Sequence, residues 1–354
     1  MDRRNSSLAR VAWVPVQSLH RKDMKKIIFQ GVNTVTLVND SLSPEEVAAP
    51  GEVVIRNIFS IVSPGTELAV LSGGESWAAL PYEPGYGSVG TIADTYDAAA
   101  FPIGQLVLTY GRHAAYTPGR TIVLPIPEGL RPEHAVFARM AAVAMTAIRV
   151  SDIELGDWVT VLGVGIVGNL AAQLALLSGA RVIAVDKNAE RLTAASRSGV
   201  DAVIRSDGDI NAQVAELTGG RMCSTVIDAT GVPAAALAAS NLVGNHGELI
   251  LLGTPRGESV QDITPFLRQI HLHPTATTVK GAHEWRYPTA STDNGSKHSI
   301  ERNIGVIFDL LLRRRLQVDH LISEVAKPER APEIYESLRS GSGNRIGVLF
   351  DWRE

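Results

Sequence analysis

The stretch from Val159 to Asp186 reads VTVLGVGIVGNLAAQLALLSGARVIAVD. An apolar, β-branched run leads into the turn Gly163-x-Gly165-x-x-Gly168, an apolar helical pattern and a second apolar run that ends on a carboxylate. In this context the first glycine permits a tight turn, the second lets the backbone approach a pyrophosphate, and the third lets the helix pack on its strand. The stretch therefore predicts a strand, helix and strand that hold a dinucleotide, with the phosphates at the amino end of the helix.

The acid at the end of the second strand indicates which dinucleotide is bound. The carboxylate of Asp186 can accept hydrogen bonds from both ribose hydroxyls of NAD, whereas it would repel the 2′-phosphate of NADP. We therefore predict NAD as the cofactor. The predicted cofactor-binding residues are Gly163, Gly165, Ile166, Val167, Gly168, Asp186, Lys187, Arg191, Thr230, Gly231, Gly253, Thr254 and Arg345.

Alternating strand and helix patterns continue after Asp186 and predict the rest of the same layer. The further strands start near Asp201, Ser224, Gly247 and Ala276, with helices at 209–217 and from Pro233. Together with the first two strands they form a six-stranded, doubly wound parallel sheet. Its loops at Thr230-Gly231 and Gly253-Thr254 are expected to face the ligand.

The flanks of this unit have a different character. Residues 24–149 are rich in glycine, proline and short alternating apolar runs, which is typical of a mostly β domain. After the parallel unit at 150–288, residues 289–354 contain two amphipathic helical patterns and a closing strand-like run. We therefore predict an α/β protein whose two flanks together form one domain. Residues 1–23 lack the apolar core of a signal peptide and are interpreted as a disordered extension or as the product of an upstream start codon.

Composition excludes several classes of protein. The chain has 354 residues, 45% of them hydrophobic, and a formal net charge of −4, so it can bury a substantial core. Its longest basic run, Arg313-Arg314-Arg315, is interpreted as the solvated end of a helix. No apolar run is long enough to span a bilayer, and the single cysteine, Cys223, allows no internal disulfide. We expect a soluble cytoplasmic protein with no nucleic-acid or membrane partner.

Several segments from Met24 onward resemble the medium-chain dehydrogenase/reductase superfamily. They are SIVSPGTE at 60–67, PGYGSVG at 84–90, YGRHAAY at 110–116 and the long run AAVAMTAIRVSDIELGDWVTVLGVGIVG. Their amino-acid sequences are most similar to the branch that includes bacteriochlorophyllide a dehydrogenase. This similarity identifies a scaffold rather than a substrate. The resemblance implies a GroES-like, mostly β catalytic domain, a central Rossmann domain, and a homodimer formed through the edge strand of the Rossmann sheet.

The sequence departs from the zinc-containing members of this superfamily. Those members hold catalytic zinc with a cysteine in one loop and a His-Glu pair in another, but here Ser63 or Pro64 stands at the first place and Tyr86-Gly87 at the second. No cysteine precedes Cys223, and neutral hydroxyls are poor zinc ligands. We therefore predict no metal. The pair His271-x-His273 could bind one in principle, but a polar loop explains it as well.

Without zinc, deprotonation of an alcohol requires a side chain within hydrogen-bond reach. His113 is the first candidate, because an imidazole titrates near neutrality and YGRHAAY follows a strand at the expected lip of the cleft. Tyr86 is the second, since it would point into the vacated zinc cavity. A structural histidine and a packing tyrosine are the corresponding alternatives. By resemblance, Thr66 aligns with a proton-relaying hydroxyl and Glu67 with an acid that supports the metal, which here would orient the base or pair with Arg345.

Further polar residues suggest the substrate. Lys280 and His283 follow the last Rossmann strand and, with Ser63, Tyr86 and His113, are predicted to read substrate hydroxyls, although a solvated crossover loop also accounts for the first two. We predict a zinc-independent, NAD-dependent oxidoreductase that interconverts a secondary alcohol and a ketone on a sugar, glycoside or cyclitol. Two alternatives stay open. One is an enoyl or quinone reductase, which mostly uses NADPH, and the other is a non-catalytic NAD-binding sensor.

Overall fold

The computed structural model describes residues 24–39, 44–120, 122–290, 296–342 and 345–354. The expectation for residues 1–23 lies outside the described residues. In the described part the strands are β1 Lys25–Gly31, β2 Thr34–Asn39, β3 Val53–Ile61, β4 Ser88–Asp94, β5 Leu106–Thr109, β6 Tyr116–Gly119, β7 Val123–Pro125, β8 Trp158–Leu162, β9 Arg181–Asp186, β10 Ala202–Arg205, β11 Cys223–Asp228, β12 Val243–Leu251, β13 Thr278–Gly281, β14 Ile322–Ala326 and β15 Gly347–Asp351.

The α-helices of the same residues are α1 Pro44–Val47, α2 Pro64–Leu71, α3 Pro132–Ala135, α4 Ala138–Val150, α5 Ile166–Leu177, α6 Ala189–Arg197, α7 Ile210–Leu217, α8 Pro233–Ala239, α9 Thr264–His271, α10 Ile300–Leu312 and α11 Ala331–Ser340. None of these helices has the length and apolarity needed to cross a bilayer.

The parallel sheet has the strand order β10-β9-β8-β11-β12-β13, and every neighbouring pair is parallel. Counted from its own first strand this is the order 3-2-1-4-5-6 of dinucleotide-binding sheets. The six-stranded, doubly wound parallel sheet is therefore confirmed. The order reverses between β8 and β11, so the loops that follow these two strands open a crevice at the carboxyl edge of the sheet.

The second large sheet is mixed and draws on both flanks of the chain. Its order is β14-β15-β3-β4-β5-β7, with β6 paired to the first residues of β3, Val53–Arg56, and only β14 and β15 run parallel to each other. Strands from residues 53–125 thus share one sheet with strands from residues 322–351. The exact domain boundaries at residues 149 and 288 stay predictions.

Helix α4 joins the two sheets through a common core. Its sequence, ARMAAVAMTAIRV, is rich in alanine, a strong helix former whose small side chain allows close packing. It packs against α5 and α10. One continuous apolar cluster contains side chains from the mixed sheet such as Phe59, from α4 such as Met140, and from the parallel sheet such as Val161. The carboxyl edge of the parallel sheet is therefore held at a fixed place beside the mixed sheet.

Candidate active site

The glycine turn after β8 has the geometry that the sequence predicts. Gly163 adopts a φ of +79°, in the region that favours glycine. A Cβ on Gly168 would lie 1.9 Å from the carbonyl oxygen of Gly163, so only glycine lets α5 approach β8 this closely. Helix α5 begins with Ile166 and Val167, whose N–H groups have no intrahelical partner. The amino end of α5 is consequently available for phosphates.

Asp186 is tied to this turn. Its side chain is 4% exposed, and its two oxygens accept hydrogen bonds at 2.9 Å from the backbone N–H groups of Val164 and Asn188. The Arg191 guanidinium lies 3.8 Å from the same carboxylate, while Lys187 is exposed beside it. The carboxylate is thus fixed at the end of β9 next to the turn, with a cation at its side.

The loops after β11 and β12 meet at the same edge. Thr230 donates to the Asp228 carboxylate from its N–H at 3.1 Å and from its hydroxyl at 2.6 Å, and burial raises the pKa of that carboxyl. A Cβ on Gly231 would lie 2.6 Å from the carbonyl oxygen of Thr254, which follows Gly253. The predicted loop residues therefore stand together beyond the carboxyl ends of the strands.

Arg345 does not join them or Glu67. Its guanidinium bonds the Glu324 carboxylate at 2.6 Å and the Ser337 hydroxyl. This corrects the expected pairing of Arg345 with Glu67, because Arg345 is already held by side chains of β14 and α11. Its assignment as a cofactor ligand has no support from these contacts.

Ser63 and Tyr86 form a hydroxyl pair. The Ser63 Oγ, immediately before α2, shares a hydrogen bond with the Tyr86 hydroxyl. Ser63 is buried and Tyr86 half-buried. The Arg139 guanidinium covers the Tyr86 ring, with Cζ 4.5 Å from the centroid, and its Nε donates to the Tyr86 carbonyl oxygen at 2.9 Å. Ser63 before α2, Tyr86 in the loop after α2 and Arg139 on α4 therefore lie together.

Tyr110 and Glu284 complete this group. The Arg139 Cζ lies 4.0 Å from the Tyr110 ring centroid, and its Nη1 lies 2.8 Å from the Glu284 carboxylate. The Tyr110 hydroxyl donates to the same carboxylate at 2.6 Å. We call Ser63, Tyr86, Tyr110, Arg139 and Glu284 the Tyr86 cluster. Since Glu284 follows β13, the Tyr86 cluster lies at the carboxyl edge of the parallel sheet, as the glycine turn does.

The opposite charges of Arg139 and Glu284 stabilise each other within the Tyr86 cluster. Burial opposes the charge of Arg139, but the neighbouring Tyr110 and Glu284 outweigh it and raise the pKa of Arg139 above its ordinary value. Burial raises the pKa of Tyr110 well above its usual range, so this phenol stays protonated and donates to Glu284. The cluster thus contains one fixed cation and one carboxylate that neutralises it.

His113 lies inside the flanking domain, beneath the surface. Its side chain is fully buried, with Nδ1 2.7 Å from the Ser60 hydroxyl and Nε2 3.3 Å from both Glu67 oxygens. Glu67 also accepts from the Ser63 N–H at 3.1 Å and from the Tyr335 hydroxyl at 2.6 Å. These contacts match the structural alternative for His113. Among the two alternatives for Glu67 they favour the orienting role, through the backbone of Ser63.

The remaining predicted residues are more scattered. Thr66 is half-buried on α2. Lys280 forms ion pairs with Asp152 and with Glu248, the latter at 2.7 Å, and its role in reading substrate stays a prediction. His283 is exposed and precedes the turn that carries Glu284.

Sequence reasoning missed Arg139. It is the only charged residue between positions 135 and 148, and that isolation in an apolar helical run was the signal that could have found it. Its partners lie 53 and 145 residues away along the chain, at Tyr86 and Glu284, and no local pattern connects them.

A cavity of about 420 Å³ opens between β1 and the segment that contains Arg112, and its wall includes Tyr110 of the Tyr86 cluster as well as His113. Lys26, Glu83 and Arg112 lie on its wall, and Glu83 pairs with both cations. All of its lining residues precede position 121, so it is distinct from the dinucleotide turn.

Within the described residues no three His, Cys, Asp or Glu side chains are grouped as metal ligands. Of the pair that the sequence singles out, His273 stacks loosely on His246, with ring centroids 5.9 Å apart, and His271 ends α9. The Tyr86 cluster presents the Ser63 and Tyr86 hydroxyls and the Arg139 guanidinium at the carboxyl edge of the sheet.

Comparison with known proteins agrees with this architecture. A family model described as zinc-binding dehydrogenase matches residues 167–289. The D-guloside 3-dehydrogenase of Escherichia coli (strain K12) is 28% identical over 59% of this chain and 59% of its own length. The L-galactonate-5-dehydrogenase of the same strain is 33% identical over 38% of this chain and 40% of its own. The chain thus spans about three fifths or less of the length of these relatives.

A solved structure extends the likeness to the whole fold. The galactitol-1-phosphate dehydrogenase of Escherichia coli superposes with a TM-score of 0.78 at 21% identity, over 93% of this chain and all of the other. At this identity the match shows the fold, which is that of a GroES-like domain joined to a Rossmann domain. The family model covers the part of this fold that contains α5 and the strands β9 to β13 of the parallel sheet.

Proposed function

We propose that this protein is an NAD-dependent oxidoreductase that interconverts a secondary alcohol and a ketone on a hydroxyl-rich substrate, such as a sugar, glycoside or cyclitol, without zinc. The observation that carries the proposal is the Ser63–Tyr86 hydroxyl pair, which lies at the same sheet edge as the dinucleotide turn. The relatives named for a guloside and a galactonate support the substrate class. The proposed branch of the superfamily, that of bacteriochlorophyllide a dehydrogenase, adds nothing about the substrate.

The chain offers a complete set of groups for the cofactor. The free N–H groups at the start of α5 would hold the pyrophosphate, and Asp186 the adenosine ribose. The loops that contain Gly231 and Thr254 would lie against the nicotinamide half. When bound, a nicotinamide cofactor supplies the hydride chemistry. Asp186 favours NAD, whereas the neighbouring cations Arg191 and Lys187 would tolerate a 2′-phosphate.

We assign the proton transfer to the Tyr86 oxygen. A tyrosine oxygen within hydrogen-bond reach of a substrate hydroxyl can take part in the transfer of its proton. The Ser63 hydroxyl, already bonded to that oxygen, can donate to it and hold it in place. Glu67, fixed by His113 and Tyr335, anchors the Ser63 backbone. In this assignment His113 acts on the scaffold of the site rather than on the substrate.

The donor set at this place does not fit zinc. Structural and catalytic zinc sites use thiolate, imidazole and carboxylate ligands, whereas Ser63 and Tyr86 present hydroxyls. The guanidinium of Arg139, 4.5 Å from the Tyr86 ring, would also repel a metal cation. In the proposed reaction the proton transfer therefore involves no metal.

We further propose a homodimer. Strand β13 is the last strand of the parallel sheet and has no partner on its outer side among the described residues. Helix α9, which precedes it, buries no residue; Leu267 and Ile270 on the helix, and Ile263 and Leu272 at its two ends, are exposed. An open strand edge beside exposed apolar side chains is typical of an interface.

The experiment that tests the function is an assay of the purified protein with NAD and a panel of glycosides, cyclitols and polyols, followed by the absorbance of reduced cofactor. We expect turnover with members of this panel and its loss in Tyr86→Phe. Turnover only with quinones or enoyl substrates would establish the reductase alternative. Tight binding of NAD without turnover of any alcohol, quinone or enoyl substrate would establish the sensor alternative.

A further inference from the structure

Trp285 presents a large aromatic ring to solvent at the carboxyl edge of the parallel sheet. It lies in the short 3₁₀ turn Glu284–Arg286 that follows β13, and it is 51% exposed although the preceding residue, Glu284, is buried. Aromatic side chains contribute up to about 250 Å² of surface when they are buried against a partner. An exposed indole beside a candidate site is therefore a surface on which a ligand can pack.

The indole is held from both parts of the molecule. Its ring meets the Tyr110 ring edge to face, with centroids 6.1 Å apart and planes inclined by 75°. The Tyr110 hydroxyl in turn donates to Glu284 at 2.6 Å. The Arg286 N–H closes the turn by donating to the His283 carbonyl oxygen at 3.0 Å. Because Tyr110 follows β5 of the mixed sheet and Trp285 follows β13 of the parallel sheet, the indole lies where the two sheets meet.

The indole N–H of Trp285 has no hydrogen-bond partner within the described part of the chain. Two other tryptophans differ in this respect, since the Trp77 N–H donates to Glu75 at 2.8 Å and the Trp352 N–H donates to Ser60 at 2.9 Å. Trp285 thus offers an apolar face and a free donor together. A hydroxylated ring matches both, because its C–H bonds pack on the negative face of the indole and its oxygens accept from the N–H.

Trp285 continues a series of rings that begins at Tyr86. The Arg139 Cζ lies 4.5 Å from the Tyr86 centroid and 4.0 Å from the Tyr110 centroid, and Tyr110 contacts Trp285. Both tyrosines are half-buried and Trp285 is exposed, so solvent access increases along the series. Arg139 and Tyr110 separate Tyr86 from Trp285. A sugar ring whose hydroxyl reaches the Tyr86 oxygen therefore leaves the indole to a second ring.

We propose that Trp285 binds the second ring of a glycoside, namely the ring aglycone attached to the sugar that is oxidised at Tyr86. The proposal rests on the proposed function and narrows its substrate class to glycosides with a ring aglycone, since a free sugar or a cyclitol occupies the Tyr86 end alone. Trp285 takes no part in the proton transfer. It adds affinity by stacking on the aglycone and by donating its N–H to an aglycone oxygen.

The test compares ligands that differ in the aglycone alone. They are the methyl and phenyl glycosides of gulose, galactose and glucose, and disaccharides with the same terminal sugars, which distinguish a sugar aglycone from an aromatic one. Affinities are measured by calorimetry in the presence of NADH, so that an alcohol cannot be oxidised during the titration. In the wild type, the phenyl glycoside or the disaccharide should bind more tightly than the methyl glycoside.

We expect Trp285→Ala to weaken binding of the ligand with the ring aglycone by about 5–20-fold and of the methyl glycoside by less than about twofold. Trp285→Phe keeps an aromatic face without the N–H and should lie between the wild type and Trp285→Ala. In active protein, KM for the ring aglycone should rise in the same order with kcat unchanged. Trp158→Phe is the control, because Trp158 begins β8 at the opposite edge of the sheet, under the Arg181 guanidinium.

The outcomes separate this site from the reaction. Equal losses for both members of a ligand pair in Trp285→Ala, or no loss for either, would overturn the aglycone site. Conversion of a wild-type dimer to a monomer by Trp285→Ala would overturn it as well, because the indole would then face a second copy. Oxidation of cyclitols without binding of any glycoside would overturn the site and leave the reaction in place. A phenyl preference that depends on Trp285 in a protein that oxidises no alcohol would support the site and refute the proposed function.

Discussion

Both oxygens of Asp186 accept hydrogen bonds from backbone N–H groups. A substitution of Asp186 therefore changes the glycine turn as well as the contact with the cofactor. We expect Asp186→Ser to weaken both cofactors by a shared amount, because the glycine turn loses its tie at Val164. Beyond that, NAD should lose about 1–3 kcal/mol relative to NADP, the usual effect of removing a charged hydrogen-bond partner. Dissociation constants of both reduced cofactors, from fluorescence titration, give the ratio. An unchanged ratio would remove Asp186 from cofactor selection.

Tyr86 and His113 are distinguished by a matched pair of substitutions. Tyr86→Phe keeps the ring under Arg139 and deletes only the hydroxyl, so turnover should fall by roughly 10²–10⁴-fold with the melting temperature nearly unchanged. His113→Ala removes one of the hydrogen-bond partners of the buried Glu67 carboxylate and of Ser60, and should cost about 1–3 kcal/mol of unfolding free energy. The folded fraction of His113→Ala should keep most of its turnover. The reverse pattern would restore His113 as the base.

At the scale of elements, the α5–β8 contact depends on one hydrogen atom. In Gly168→Ala the new methyl group would meet the Gly163 carbonyl oxygen at 1.9 Å, so α5 has to move away from β8. We expect loss of measurable NAD binding and a lower melting temperature. Gly305→Ala on α10 is the control, since nothing lies within 4 Å of its Cβ and alanine should stabilise that helix by about 0.5–1 kcal/mol. Normal NAD binding by Gly168→Ala would contradict the assigned role of the turn.

The two loops that meet at the Ser63–Tyr86 pair decide the metal content. We expect no stoichiometric zinc in the purified protein and unchanged activity after dialysis against chelators, because hydroxyls and a guanidinium replace the usual ligands. Elemental analysis measures the first and the NAD-linked assay the second. One equivalent of tightly bound zinc would end the metal-free assignment.

For the whole molecule, the exposed face of α9 predicts the oligomeric state. Leu267 is 51% exposed on this face, and Leu267→Asp would place a charge in the proposed interface. We expect a dimer for the wild type in sedimentation equilibrium and a monomer for this variant. Leu155→Asp is the control, because Leu155 is 89% exposed outside α9 and β13 and should leave the dimer intact. A wild-type monomer would refute the interface.

Whether a structural feature can be predicted from the sequence depends on how far apart along the chain its interacting residues lie. The order of the parallel sheet follows from local signals, namely apolar runs, the glycine turn and capping residues such as Asn188. The position of His113 does not, because the segment from 110 to 115 is irregular and its burial follows no period. Arg139 was missed for a different reason, since the contacts that give it meaning join three distant segments.

The common core around α4 has a consequence for recombination between relatives. A chimera cut between residues 149 and 150 would take α5 from one parent and the helix that covers it from the other, so every mismatch in the α4–α5 contact would fall in the buried cluster. A cut near residue 130, before α3, would transfer α4 with the parallel sheet. It would also carry Arg139 and Glu284 over together, and leave their tyrosines behind in the other parent.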